Sequence, residues 1–268
     1  PEKTQKFSLG GNDSKVLSFS IAGLDFKKNG CRNALEFELL TQTDGGKPGK
    51  GKYIFQPIVC TNASSVNVDG NISDWGGAAW YKLAKCDKKI NPDHRKLIPL
   101  EDFNSEFATK WNQQGLYLAT KVQEKALIAA KDDKSAWHYD FLEISIDQKN
   151  NALTGTIDDD CVFYIKNLAN ESQPQITMKP TDGKVVNLNY QCKVKRQRNG
   201  EETIYEIFIP ATVLNQVRFK AGANIGFALK LHNREHTNDP AKDLWGYSVS
   251  TSEYPDVNSG VRNNILLS

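Results

Sequence analysis

Two short stretches hold the residue types that could do chemistry. Trp137-His138-Tyr139-Asp140-Phe141-Leu142-Glu143-Ile144-Ser145-Ile146-Asp147 mixes aromatic rings with carboxylates, and Asp158-Asp159-Asp160 follows as a dense acidic turn ahead of Cys161-Val162-Phe163-Tyr164. In a β-strand, residues two apart share a face and neighbours point to opposite faces. Leu142, Ile144 and Ile146 then form an apolar face, while Glu143, Ser145 and Asp147 share the other with Trp137, Tyr139 and Phe141. That second face suits a sugar, whose C–H surface stacks on a ring while its hydroxyls bond to acids and amides. In an isolated strand the same residues would serve only as a partly buried tryptophan anchor and solvated acids.

Three like charges in succession repel, and a hard cation such as calcium, with about six to eight oxygen ligands, would relieve that cost. Asp159 and Asp160 are the leading candidate ligands, with Asp158 beside them; a plain surface turn is the alternative. EF-hand spacing is absent, so ligands would come from separate loops. An enzyme would need two carboxylates across a glycosidic bond, a nucleophile with its base, or a catalytic metal. Glu143 with Asp140 is the carboxylate pair at hand, but no serine elbow, HExxH or phosphate loop accompanies it, and no catalysis is expected.

The elements that must position these residues read as strands. Branched and aromatic runs at 15–21, 34–40, 52–60, 115–122, 141–147, 161–166, 203–209 and 224–231 alternate with Gly, Asn, Asp and Pro clusters, the pattern of an all-β antiparallel sandwich. Asp182-Gly183 and Asn199-Gly200 are hairpin signals. Helical candidates are short, at 211–216 and around 124–131. A composition shift at 61–65 divides the chain into a small N-terminal β segment or partial module, 1–64, and a larger β domain, 65–268.

The chain has 268 residues, with 34 basic and 32 acidic side chains and a net charge of +2, so nothing in its charge calls for nucleic acid. Lys193-Val194-Lys195-Arg196-Gln197-Arg198 reads as a solvated strand end beside a turn. No apolar run approaches the roughly 20 residues that span a bilayer, so no membrane insertion is expected. The start at Pro1, without methionine or a signal-like segment, suggests a processed protein or an excised piece. The five cysteines form no zinc spacing; Cys31 with Cys60, and Cys161 with Cys192, are possible bridges, and the odd number leaves one unpaired within the chain.

From residue 65 onward the order of motifs resembles carbohydrate-binding module family 9. Val68-Asp69-Gly70-Asn71-Ile72-Ser73-Asp74-Trp75 is similar to the family's opening motif, and Ala108 to Ala119, with Trp111 and Leu116-Tyr117, is similar to its strand, turn and second strand. The stretch from Trp137 to Asp147, the acidic triplet, Glu206-Ile207-Phe208-Ile209-Pro210 and Ile225-Gly226-Phe227 complete the series. The resemblance implies a sugar clamped between two aromatic side chains, with acids and amides reading its hydroxyls. It places Trp137 as the first aromatic, Glu143 as the acid beside it and Tyr254 as the second aromatic; Asp140 and Trp245 are further site candidates, Trp245 either lining the site near the Tyr254 loop or filling the core. Better-known members carry Trp where Tyr254 stands and amide residues where Thr251 and Ser252 stand. It also implies structural calcium and packing roles for Trp75 and Trp111. The expected partner is an oligosaccharide or polysaccharide, in a secreted or extracellular setting and beside other modules of a larger polypeptide. Two other readings are a haem-binding redox sandwich using Met178, the only methionine, and a structural or adhesion module without sugar binding.

Overall fold

A computed structural model describes residues 35–41, 49–55, 58–86, 105–151, 159–180, 184–233, 245–248 and 263–268. In chain order its strands are β1 (Leu35–Thr41), β2 (Gly49–Phe55), β3 (Ile58–Asn62), β4 (Trp80–Lys82), β5 (Ala84–Cys86), β6 (Glu106–Asn112), β7 (Gly115–Gln123) and β8 (Phe141–Asp147). They continue with β9 (Asp160–Lys166), β10 (Gln175–Pro180), β11 (Val186–Asn187), β12 (Lys193–Asn199), β13 (Glu202–Pro210), β14 (Asn224–Asn233), β15 (Trp245–Ser248) and β16 (Asn263–Leu267). The expected all-β class is what the chain adopts. Among the described residues the helical pieces are two 3-10 turns, Ile72–Trp75 and Asp133–His138, and none is long and apolar enough to cross a membrane.

Neither expected helix forms. After Pro210 the chain makes a tight turn, with the amides of Val213 and Leu214 donating to the Pro210 carbonyl at 2.9 and 3.1 Å. That turn drops Leu214 fully into the core, a contact that outweighs the weak helical propensity of so short a segment. Residues 124–131 stay non-helical, and Ala130 bridges to Leu168.

Strands β11-β10-β9-β8-β14-β16 form one layer and β3-β6-β7-β13-β12 the other, joined where β16 pairs in parallel with β3. Strand β15 adds to β14, and β4 to β6. Strands β1 and β2 form a separate antiparallel pair. The expected strand at 52–60 is thus two, β2 and β3, in different sheets; Ile58–Asn62 lies inside the sandwich, between β16 and β6.

Period-two patterning explains the core. Leu142, Ile144 and Ile146 of β8, Phe163 and Ile165 of β9, and Phe227 and Leu229 of β14 face Phe107 of β6, Leu116 and Leu118 of β7, and Tyr205 and Ile207 of β13, all essentially inaccessible. Phe107 and Phe227 stack across the layers, 5.9 Å between centroids. Each large aliphatic or aromatic side chain removed from water this way contributes about 1.5–3 kcal/mol. Met178 packs against the same core. Along β12, exposed residues alternate with half-buried ones; Arg196 donates to Asn167 Oδ1 at 2.8 Å and Arg198 pairs with Glu124 at 3.1 Å, so the basic run is partly spent on internal partners.

Cys60, Cys161 and Cys192 are buried and carry thiols rather than disulfides. The expected Cys161–Cys192 bridge does not form. Cys31 lies outside the described residues, and Cys60 carries a thiol. Burial pushes the thiols of Cys60 and Cys192 up to about 12, which leaves both protonated and unreactive near neutrality.

The outer face of the second layer is covered by the segment after β3. Trp75, Ala108, Tyr117 and Ala119 are buried there, with Val66, Val68, Ile72, Trp80 and Phe208 packed on them. Glu206 of β13 fastens that segment: its Oε2 accepts from the Asp69 and Gly70 amides at 3.0 and 2.5 Å, and its Oε1 from the Trp75 indole at 2.7 Å. Gly70 adopts φ +90°, where a Cβ would also sit 3.1 Å from that of Gln197, so glycine fits this tight passage. The packing roles expected for Trp75 and Trp111 match their burial, 3% and 5% exposed.

Candidate functional site

The opposite outer face, on β8, β9, β10 and β14, gathers the polar residues. Residues directly opposite one another on paired strands share a face. Phe141 lies opposite His232 of β14 and Lys166 of β9; Glu143 lies opposite Lys230 and Tyr164. One strand further, Tyr164 lies opposite Thr177 and Val162 opposite Lys179 of β10. Every residue of β8 is buried, so this is not the solvated face that alternation alone would allow.

The geometry is specific. The Phe141 and His232 rings are nearly parallel, with an interplanar angle of 12° and centroids 3.7 Å apart. His232 Nε2 stands 3.5 Å from Glu143 Oε2. Glu143 is 6% exposed, and among the described residues its Oε1 has no hydrogen-bond partner; the same holds for Ser145 Oγ and Thr177 Oγ1. All three belong to this face by register. Leaving a buried polar atom unmatched costs about 1–3 kcal/mol, so several on one face point to a group that completes them. Burial opposes ionisation of Glu143, but the His232 imidazole 3.5 Å away and the charges of Lys230 and Lys179 outweigh it, holding the carboxyl below its ordinary value.

The residues expected from the sequence are distributed as follows. Trp137 does not lie on a strand: its backbone belongs to the 3-10 turn Asp133–His138 that leads into β8, and its side chain lies outside the described residues. A capping box fixes that turn, with Asp132 Oδ1 accepting from the Ser135 amide at 2.8 Å, and Lys166 Nζ ties it to β9 through Asp133 at 2.7 Å. Asp140 is buried away from Glu143's row: its Oδ2 accepts from the Ile128 amide at 2.5 Å and its carbonyl from Asn167 at 2.9 Å, pinning the strand entry. Trp245 begins β15 opposite Asn233, with its side chain outside the described residues. Tyr254 and Asp158 lie outside them altogether. His138 is exposed. Sequence reasoning missed His232 and Thr177 as partners of Glu143; Ser145 shared its alternation, but only the pairing of β8 with β14 and of β9 with β10 brings the others in.

At the far end of the same ladder, Asp147, Asp159 and Asp160 each place a carboxylate oxygen within 4.8 Å of the others, and all three are buried. Asp147 is directly opposite Asp160 on β9, a like-charge pairing that sheets avoid without compensation. The loop shapes the cluster: the Lys149 amide donates to Asp159 Oδ2 at 2.9 Å and the Asn151 amide to Asp147 Oδ1 at 3.3 Å. Gly226 of β14 makes room for it, since a Cβ there would lie 2.9 Å from that of Asp147. An all-oxygen, triply anionic donor set fits a hard cation such as calcium.

The chain was compared with known proteins. A family model described as carbohydrate family 9 binding domain-like matches residues 68–256. No curated protein matches. Among solved structures, a family 9 carbohydrate-binding module from Caldicellulosiruptor kristjanssonii in complex with cellotriose superposes with a TM-score of 0.56 at 15% identity, over 79% of this chain and 93% of that one. A family 9 module from the same organism in complex with glucose gives 0.56 at 14% identity, over 79% and 95%. At these identities the superpositions establish the sandwich fold, and the match of the family model over most of the length establishes descent. With its opening motif clasped by Glu206 and its β8 face assembled as described, the chain belongs to the carbohydrate family 9 binding domain-like family.

Proposed function

We propose that the protein is a non-catalytic carbohydrate-binding module whose sugar lies on the β8–β14 outer face. The observation that carries this reading is the trio of buried, unmatched polar atoms, Glu143 Oε1, Ser145 Oγ and Thr177 Oγ1, on one face beside the Phe141–His232 stack. Sugar hydroxyls both donate and accept, so they can satisfy a carboxylate and side-chain hydroxyls alike. Trp137, at the edge of this face, supplies the stacking ring, with Tyr254 as the second aromatic and Trp245 lining the site. The relatives in complex with cellotriose and glucose support a neutral hexose or its oligomer as ligand. A small sugar offers few atoms, so affinity is modest and the module's role is to hold an attached enzyme or surface near a polysaccharide, in a secreted or extracellular setting.

Calorimetry against gluco-, xylo- and manno-oligosaccharides tests this reading. Trp137→Ala is expected to weaken the binding by about tenfold or more, the worth of one desolvated ring contact. Unchanged binding in that variant would remove Trp137 from the site; no binding to any member of the panel would remove the function.

Calcium is proposed as a structural ion held by Asp147, Asp159 and Asp160, where its charge would offset theirs and join the β8–β9 ladder end to the loops around it. At a calcium concentration about 100-fold above its dissociation constant, stability rises by about 2.7 kcal/mol. For a domain of this size that lifts the melting temperature by roughly 5–10 °C. A chelator should reverse the shift, and Asp147→Asn should abolish it; equal melting curves with and without calcium would contradict the assignment.

A further inference from the structure

We infer that His232 is a positioning residue of this site: stacked on Phe141 and aimed at Glu143 Oε2, it orients the carboxylate so that Oε1 is the oxygen presented to the ligand. The inference rests on the sugar-binding reading of the same face.

The argument is geometric. Pairing of β14 with β8 sets His232 opposite Phe141 and Lys230 opposite Glu143. A ring pair 3.7 Å apart and within 12° of parallel leaves the imidazole little rotational freedom, which directs Nε2 along the sheet toward Glu143. The two groups meet at 3.5 Å, and both are more than nine-tenths buried. A glutamate side chain unconstrained at its end would have to be ordered on binding; one already held loses less entropy when ligand arrives.

The contact is long for a hydrogen bond, so its strength depends on the charge of the imidazole, and histidine changes charge between about pH 5 and 8. Among the described residues, the other charged or titratable groups on this face are Lys230 of β14, Tyr164 and Lys166 of β9, the latter held by Asp133, Lys179 of β10 and, at the far end, Asp147 of β8 opposite Asp160 of β9; beyond β15, β5 sets Cys86 opposite Gly246. Strand β15 sets Gly246 opposite His232 and Ser248 opposite Lys230, neither of an ionisable type. The Glu143 carboxyl, held below its ordinary value and so the more readily ionised, agrees with this arrangement.

The test uses the wild type, His232→Gln and His232→Phe, each checked for a cooperative melt. Cellotriose affinity is measured by calorimetry at about pH 5.5 and about pH 8, and the Glu143 carboxyl is titrated by carbon NMR without sugar. Wild-type affinity is expected to be several-fold higher at the acid pH, where the imidazolium grips Glu143. His232→Gln, which keeps a donor but not a titratable charge, should lose that dependence, and His232→Phe should bind about tenfold more weakly at acid pH. In both variants the Glu143 carboxyl should titrate higher than in the wild type, further in His232→Phe than in His232→Gln. A role confined to packing would lower the melting temperature without moving either pH profile. Cellotriose binding with an unmoved Glu143 titration would overturn the positioning role and leave the sugar site standing. A moved titration with no cellotriose binding in the wild type would keep the pair but overturn its role in sugar recognition.

Discussion

Glu206→Ala should lower the stability of the protein by about 3–5 kcal/mol, the largest single-residue loss expected here. The carboxylate is fully buried and accepts three N–H groups, from Asp69, Gly70 and the Trp75 indole. Alanine strands all three donors and opens a cavity beneath the segment that covers the outer face of the second layer. Glutamine keeps the volume but offers one acceptor oxygen where two are used, so Glu206→Gln should fall between alanine and wild type. Burial and the nearby Asp74 hold the Glu206 carboxyl above its ordinary value despite its hydrogen bonds. A carboxyl raised in the folded state contributes stability that is present below the unfolded carboxylate value and is lost as pH rises through the folded one. Urea melts across the acid range should therefore show that contribution in the wild type and lack it in Glu206→Gln. Equal midpoints for wild type and Glu206→Ala would mean that the opening motif is not held by this clasp.

Glu143→Ala should weaken sugar binding by about a hundredfold, more than the loss of one neutral hydrogen bond, because truncation also removes a buried carboxylate whose charge faces Lys230 and His232. Glu143→Gln keeps the shape and one acceptor, and a loss of about tenfold is expected. Calorimetry with the sugar that binds the wild type separates the two. An alanine variant that binds as tightly as wild type would place the ligand elsewhere.

The strand that holds Glu143 was legible as a strand, since Leu142, Ile144 and Ile146 alternate and all three enter the core. Strands β7, β9, β13 and β14 likewise fall close to runs of branched and aromatic residues, where local pattern and tertiary burial agree. What could not be read was which face mattered, because both faces of β8 are buried and period two is silent on what covers them. His232 illustrates the limit. Its partnership with Phe141 and Glu143 arises from the pairing of strands far apart in the chain, a register that no local signal encodes. Trp137 was placed on a strand by continuity with Phe141, whereas the Asp132–Ser135 capping box turns the chain into a 3-10 turn there. Asp140 is a sugar-site candidate by sequence, and in the fold its Oδ2 accepts from the Ile128 amide, a bond no local pattern encodes. The acidic cluster was legible in part: Asp159 and Asp160 are adjacent in sequence, but Asp147 joins them only through the β8–β9 ladder.

The central claim is that sugar occupies the β8–β14 outer face. The most direct measurement is to titrate isotopically labelled protein with oligosaccharides of the panel, cellotriose first, and follow backbone amide shifts. The account predicts saturable shifts at Phe141, Glu143, Ser145, Thr177 and His232, and none at Asp69, Gly70 or Trp75 on the opposite face. Shifts confined to that opposite face, or none with any sugar, would contradict it.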